Sequence, residues 1–266
     1  MYKPLVPLAT AARRWEGAAF WLMLAKAAGL FSAAIGALVL LGWMLDMPML
    51  KSIAPGWVAM KANTAVGFIL SGLTLWLKAS ETSRSNRHWR HVEQALASVT
   101  ILLGLFTMLE FQAGIDLGID HWLFHEPPDA IGTLAPGRMA PATALCFVLL
   151  GSALLLDGKT RRSGVSISAL ALLMALLALA AGLVYLYDTD NLYGLGYAMQ
   201  LAAHTALGFL VLAAGLLCSL PEHGVVALLR RRDSGGALAR RLLPVTLLLP
   251  VLIGWLKLEG VRAGLY

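Results

Sequence analysis

Charge is scarce in this chain, and cysteine scarcer still. Only 14% of the 266 residues are charged, against 59% hydrophobic, a balance that excludes an ordinary soluble domain. The apolar residues also lack the strict alternation of a lipid-facing strand, which excludes a membrane β-barrel. They fall instead into blocks of about 18 to 23 residues, the length that spans a hydrocarbon core of roughly 30 Å as helix. The two cysteines, Cys146 and Cys218, lie near mid-membrane and near the inner end of their respective blocks. They are too far apart for a disulfide and read as small apolar packing residues.

Catalytic motifs are missing as well. His121 to Glu126 reads His-x-x-x-His-Glu, which departs from the metalloprotease His-Glu-x-x-His, and neither a nucleophile elbow nor a phosphate loop occurs. The chain therefore reads as no enzyme in its own right. Inverted repeats with broken helices, and acids paired along a pathway, are lacking too, which counts against the alternative of a small-solute or lipid transporter.

What is present is helix. The blocks predict an all-α integral membrane protein with seven spans, near 27–45, 57–77, 94–113, 139–156, 165–187, 197–219 and 242–257. Residues 1–26 form an interfacial lead-in, and 27–266 a single transmembrane domain. Bases are distributed unevenly. Segments 1–26, 78–93, 157–164 and 221–241 hold 16 of the 21 Lys and Arg and 6 of the 15 acids. Their net +10 faces −4 on the remaining segments, so the positive-inside rule puts the N-terminus in the cytoplasm. The basic excess then meets anionic lipid heads, and no nucleic acid is needed to explain it. An odd number of spans leaves the C-terminus outside. A chain that drives a cytoplasmic event needs an eighth helix after Tyr266, which suggests an excised input module.

A pattern occurs three times. It reads Asn63-Thr64-Ala65-Val-Gly-Phe68, then Ala142-Thr143-Ala144-Leu-Cys-Phe147, then His204-Thr205-Ala206-Leu-Gly-Phe209. Each copy begins a helix that runs from the outer side inward, so the repeating unit is a helical hairpin. Three hairpins packed about one axis bring three helix N-termini together in the outer leaflet, where their dipoles favour an electron-rich group. His204 is then either packing glue, bonded to a neighbouring helix, or a residue that holds a ligand or cofactor. Thr64, Thr143 and Thr205 more simply bond their own i−4 carbonyls.

Polar residues between the second and third apolar pairs add to this region. Lys61, at the start of the second span, can snorkel to the interface. Glu110 is either interfacial or part of a polar cavity. The long outer segment 112–137 reads as a lid, with a short helix ended by Pro127 and Pro128. On such a helix His121 and His125, four apart, share a face and can bind one metal. Candidate ligand-binding residues are thus Asn63, Thr64, Glu110, Thr143, His204 and Thr205, and candidate metal ligands His121, His125 and His204. Haem b or copper is the cofactor chemistry that histidine and methionine at this place would suit.

The copies, the Asp116-Leu-Gly-Ile-Asp120 stretch, Leu201-x-x-His204-Thr-Ala, and the ending Ala239-Arg-Arg-Leu-Leu-Pro244 … Gly254-Trp-Leu … Ala263-Gly-Leu-Tyr266 carry a likeness. From Trp57 onward the chain resembles the N-terminal multi-pass membrane sensor domain of bacterial signalling proteins, found ahead of PAS, histidine kinase or diguanylate cyclase modules. The resemblance implies an input domain in the inner membrane, fused to a cytoplasmic output module and dimeric in the whole protein. Asn63, Thr64, Thr143, His204 and Thr205 fall on pattern positions. Ala142 stands where the pattern has Asn, and His121 and His125 lie outside it.

Overall fold

The computed structural model describes residues 8–54, 57–81, 85–127, 135–187, 201–231 and 233–264, with side chains from residue 18 onward apart from 184–187, 247, 250, 258 and 262. Every regular element among them is helical. The helices are α1 Leu8–Met44, α2 Pro48–Lys51, α3 Ala62–Ala79, α4 Arg87–Ala113, α5 Pro141–Leu155, α6 Arg161–Tyr187, α7 Ala203–Cys218, α8 Gly224–Arg230 and α9 Ser234–Arg262.

Four of these, within α1, α4, α6 and α9, are long and apolar enough to cross a membrane, and α5 and α7 are shorter apolar helices. Their outward faces carry Leu38, Leu41, Leu102, Leu105, Phe106, Leu172 and Leu176, all exposed, while Ser32, Ser71, Thr74, Thr100 and Thr107 are buried. Apolar side chains outside and hydroxyls inside is the layout of a helical membrane protein. The hydroxyls of Ser32, Ser71, Thr74 and Thr100 donate to carbonyls four residues back, which satisfies them where no water reaches.

The hairpin unit is present. α1 packs on α3, α4 on α5 and α6 on α7, and the contacts α3–α4, α5–α6 and α1–α7 close the three pairs into a ring. α3, α5 and α7 also touch one another at its centre. Small residues allow this proximity. A Cβ at Gly104 would lie 2.5 Å from the Ala144 carbonyl oxygen, and one at Gly29 would lie 2.6 Å from that of Gly72. Gly36 meets the Ala65 carbonyl in the same way, and Gly182 faces Ala206. Gly36, Gly104 and Gly182 are therefore equivalent, each set against the Ala of a Thr-Ala pair. In lipid, where apolar surface gains nothing from association, such backbone contact is what packing rests on.

The axis is marked by the phenylalanines of the three copies. Phe68, Phe147 and Phe209 are fully buried, with ring centroids 5.6, 4.9 and 5.0 Å apart pairwise. A Cβ at Gly67 would lie 2.7 Å from Phe147 Cε1, and one at Gly208 2.8 Å from Phe68 Cζ. Glycine before the Phe is thus the space into which the next copy's ring fits, and Cys146 holds that position in the middle copy.

Several boundaries differ from expectation. α1 is continuous from Leu8, so the lead-in belongs to the first long helix. Residues 57–61 are extended, and α3 starts only at Ala62. Ser234-Gly-Gly236 does not break a surface helix but opens α9. Asp233 caps that helix through Oδ1 to the Gly236 N–H at 2.9 Å, a short polar side chain supplying the acceptor that a helix start needs. Of the basic stretch, only Gly224–Arg230 is a separate helix. Tyr187 ends the described part of α6, so Met199 lies outside the described residues. Both cysteines are free.

Candidate binding site beneath the 114–140 segment

The three central helices start in register. Lys61, Ala140 and Ala202 are their N-caps, and the first backbone bonds are Ala65 to Lys61, Ala144 to Ala140 and Ala206 to Ala202, at 3.0, 3.1 and 3.1 Å. Asn63, Ala142 and His204 consequently occupy the same second helical position. None of these starts has a side-chain cap, so their leading N–H groups point past the helix ends.

These starts lie low in the bundle. Above the Gly104–Ala144 contact α4 runs on for nine residues, about 14 Å, whereas α5 begins three residues above it, about 4–5 Å. α1 and α3 repeat this offset about Gly36 and Ala65. A recess is left above α3 and α5, walled by α1 and α4, and chain 114–127 with 135–140 roofs it.

The roof is tied down by charge. Lys61 Nζ lies 2.5 and 2.6 Å from the two carboxylate oxygens of Glu126, which also accepts the Gly137 N–H at 2.7 Å. Both partners of this ion pair are buried, with side-chain exposures of 6% and 4%. Lys61 does not snorkel. It lies outside α3, on an extended residue whose side chain turns under the roof toward the acid.

A second tie centres on Asp120. It accepts from Asn63 Nδ2 at 3.1 Å and from Arg138 Nε at 2.6 Å. Arg138 also reaches the Ile115 carbonyl at 3.4 Å, lies 3.5 Å from Glu110 Oε2 and stacks over Phe111. Burial pushes the Asp120 carboxyl above the ordinary aspartate range, with Arg138 opposing the shift. Glu110 is fully buried and accepts the Leu117 N–H through Oε1 at 2.9 Å. A third, aromatic tie is Trp43, which stacks on Phe124 and donates Nε1 to the Met60 carbonyl at 2.9 Å.

His121 and His125 lie together, but not on a helix. Residues 118–123 form turns and bends, and the two imidazoles stack with centroids 5.5 Å apart and planes 20° from parallel. The positive φ of Gly114 and Gly118 breaks the path of the chain after α4, a conformation glycine adopts at no steric cost. His121 Nδ1 is buried without a partner, and so are both ring nitrogens of His204. Among the described residues, the group of three or more metal-ligand side chains with donor atoms within 4.8 Å of one another is Glu110, Asp116 and Asp120. His121, His125 and His204 are not gathered into such a group.

Of the six ligand-binding candidates, Asn63 and Glu110 thus meet at the Asp120–Arg138 node. Thr64, Thr143 and Thr205 are buried at equivalent places, and Thr64 Oγ1 lies 3.5 Å from Asn63 Oδ1 rather than on an i−4 carbonyl. Lys61, Asp120, Glu126 and Arg138 were not foreseen. Their signal in the sequence was four charges flanking apolar blocks, too few and too scattered to pair without the fold. No protein-family model, no curated protein and no solved structure matches this chain.

Proposed function

We propose that the chain is the membrane-embedded input domain of a bacterial signalling protein, which takes a ligand beneath the 114–140 roof and passes a change of pose to the opposite end of the bundle. The observation that carries this reading is the roof itself. It is held over three helix starts by two buried ionic ties, Lys61–Glu126 and Asn63–Asp120–Arg138, rather than by continuous apolar packing. A few discrete contacts give two arrangements of similar free energy, which a ligand with unequal affinity for them can shift. The likeness to bacterial sensor domains supports the same reading. So does the charge distribution, with seven spans, a cytoplasmic N-terminus and placement in the inner membrane.

A haem or copper sensor is the second reading. It is favoured by the imidazole nitrogens of His121 and His204 that have no partner, since a buried polar atom without one is costly.

Spin labels at Arg87 and Arg161, exposed at the opposite end from the roof, test transmission in lipid nanodiscs, with Cys146 and Cys218 replaced by alanine. Lys61→Met should shift the distance distribution between the labels. An unchanged distribution in a variant with a demonstrably open roof rejects the sensory reading. Absorption spectra and elemental analysis of the purified protein decide between ligand and cofactor.

A further inference from the structure

The geometry points to a site for one calcium-sized divalent cation at Glu110, Asp116 and Asp120, distinct from the histidines and independent of any sensory role. The three carboxylates offer oxygens within 4.8 Å of one another. Oxygens on opposite sides of Ca²⁺, each at 2.3–2.6 Å, are separated by about 4.6–5.2 Å, whereas Mg²⁺ at 2.0–2.1 Å requires about 4.2 Å. The spacing therefore suits the larger ion without contraction.

Proximity of acids alone would mean little, but two further atoms show that the cluster is unfinished. Glu110 Oε2 is fully buried and makes no hydrogen bond. Arg138 Nε stands 3.5 Å from it, but points its hydrogen at Asp120. Thr107 Oγ1, one turn below on the same face of α4, is buried and also without a partner. A hydroxyl in a helix ordinarily bonds the carbonyl four residues back, and here it does not. Unpaired oxygens in a dry environment cost free energy that a cation, with the waters it carries, removes.

Charge agrees. Three carboxylates and the Arg138 guanidinium, 3.9 Å from Asp116, leave a net −2 that one divalent ion cancels. Each bonded carboxylate oxygen retains a second lone pair, so coordination leaves the Asn63 and Arg138 bonds in place. Access comes through Asp116, whose side chain is 62% exposed. The Ile115 carbonyl and water can complete the six to eight oxygens that Ca²⁺ takes. Asp116 is itself oriented by accepting the Gly118 N–H at 2.8 Å.

Isothermal titration of the full chain in nanodiscs, stripped with chelator, tests the assignment with CaCl₂ and MgCl₂. The expected result is one Ca²⁺ per chain in the range of roughly 10⁻⁴–10⁻³ M typical of extracellular modules, with Mg²⁺ at least ~10-fold weaker. Asp116→Asn keeps the oxygen that accepts Gly118 and should lower Ca²⁺ affinity by about 10-fold or more, as should Glu110→Gln. If Glu110→Gln fails to fold, the exposed Asp116→Asn carries the test alone. No saturable Ca²⁺ binding below about 10 mM, equal binding by Asp116→Asn, or Mg²⁺ binding as tightly as Ca²⁺ would each overturn the assignment.

Discussion

Replacing Lys61 by methionine keeps the stem and removes the charge, which strands Glu126 under the roof. At 2.5 Å and an effective dielectric of 20, the pair's attraction is about 7 kcal/mol, much of it offset by dehydrating two ions. Removing one partner of such a buried pair costs about 3–5 kcal/mol, whereas replacing both with apolar groups is often neutral or better. The Gly137 amide reports the event directly, because its N–H is bonded to Glu126. At 1.4 kcal/mol per decade, Lys61→Met should speed its hydrogen exchange by about 10²–10³-fold, together with Leu117 in the same roof. Lys61→Met with Glu126→Leu should return the exchange of Leu117 to within about tenfold of the wild type. Additive effects, with no coupling between the two changes, would refute the claim that this ion pair ties the roof down.

Three other outcomes follow from the same contacts. Gly208→Ala pushes a methyl into the Phe68 ring and should cost about 1–3 kcal/mol in thermal unfolding, with Phe68→Leu recovering part of the loss. His204→Leu removes two buried ring nitrogens without partners and should stabilise the ligand-free protein by about 1–3 kcal/mol; destabilisation would mean the imidazole is bonded. Burial raises Asp120 above its unfolded value near 3.9, so the folded state binds its proton more tightly. The stability this group contributes is fully present below the unfolded value and declines as pH rises through the folded one. Asp120→Asn should flatten that limb of the stability profile, and an unaltered profile would place the titration elsewhere.

The helices were legible because long apolar blocks in lipid leave the backbone no other arrangement. The Thr-Ala-x-x-Phe copies gave the hairpin repeat for a like reason: one packing problem, glycine against alanine carbonyl and ring against glycine, is solved three times. The depth of the helix starts was not legible. An apolar stretch such as Trp57–Met60 reads as span whether helical or extended, and only the packing of Met60 beside Trp43 decides. The ionic ties were hidden for another reason. Lys61 and Glu126 are 65 residues apart, and Asn63 and Asp120 are 57 apart, so no local periodicity links them. Snorkelling is the sound expectation for a lone lysine near an interface, and it fails here because a roof supplies a carboxylate. The i, i+4 spacing of His121 and His125 led to the right proximity by the wrong route, since a turn and not a helix stacks the rings.

The central claim is that three hairpins share one axis, with their short helices starting together beneath the roof. Dipolar recoupling between para-fluorinated Phe68, Phe147 and Phe209, taken pairwise in lipid bilayers, measures this most directly. Ring centroids of 4.9 to 5.6 Å predict strong fluorine–fluorine coupling in all three pairs. If any of the three pairs shows no coupling, the common axis is contradicted, and with it the shared recess.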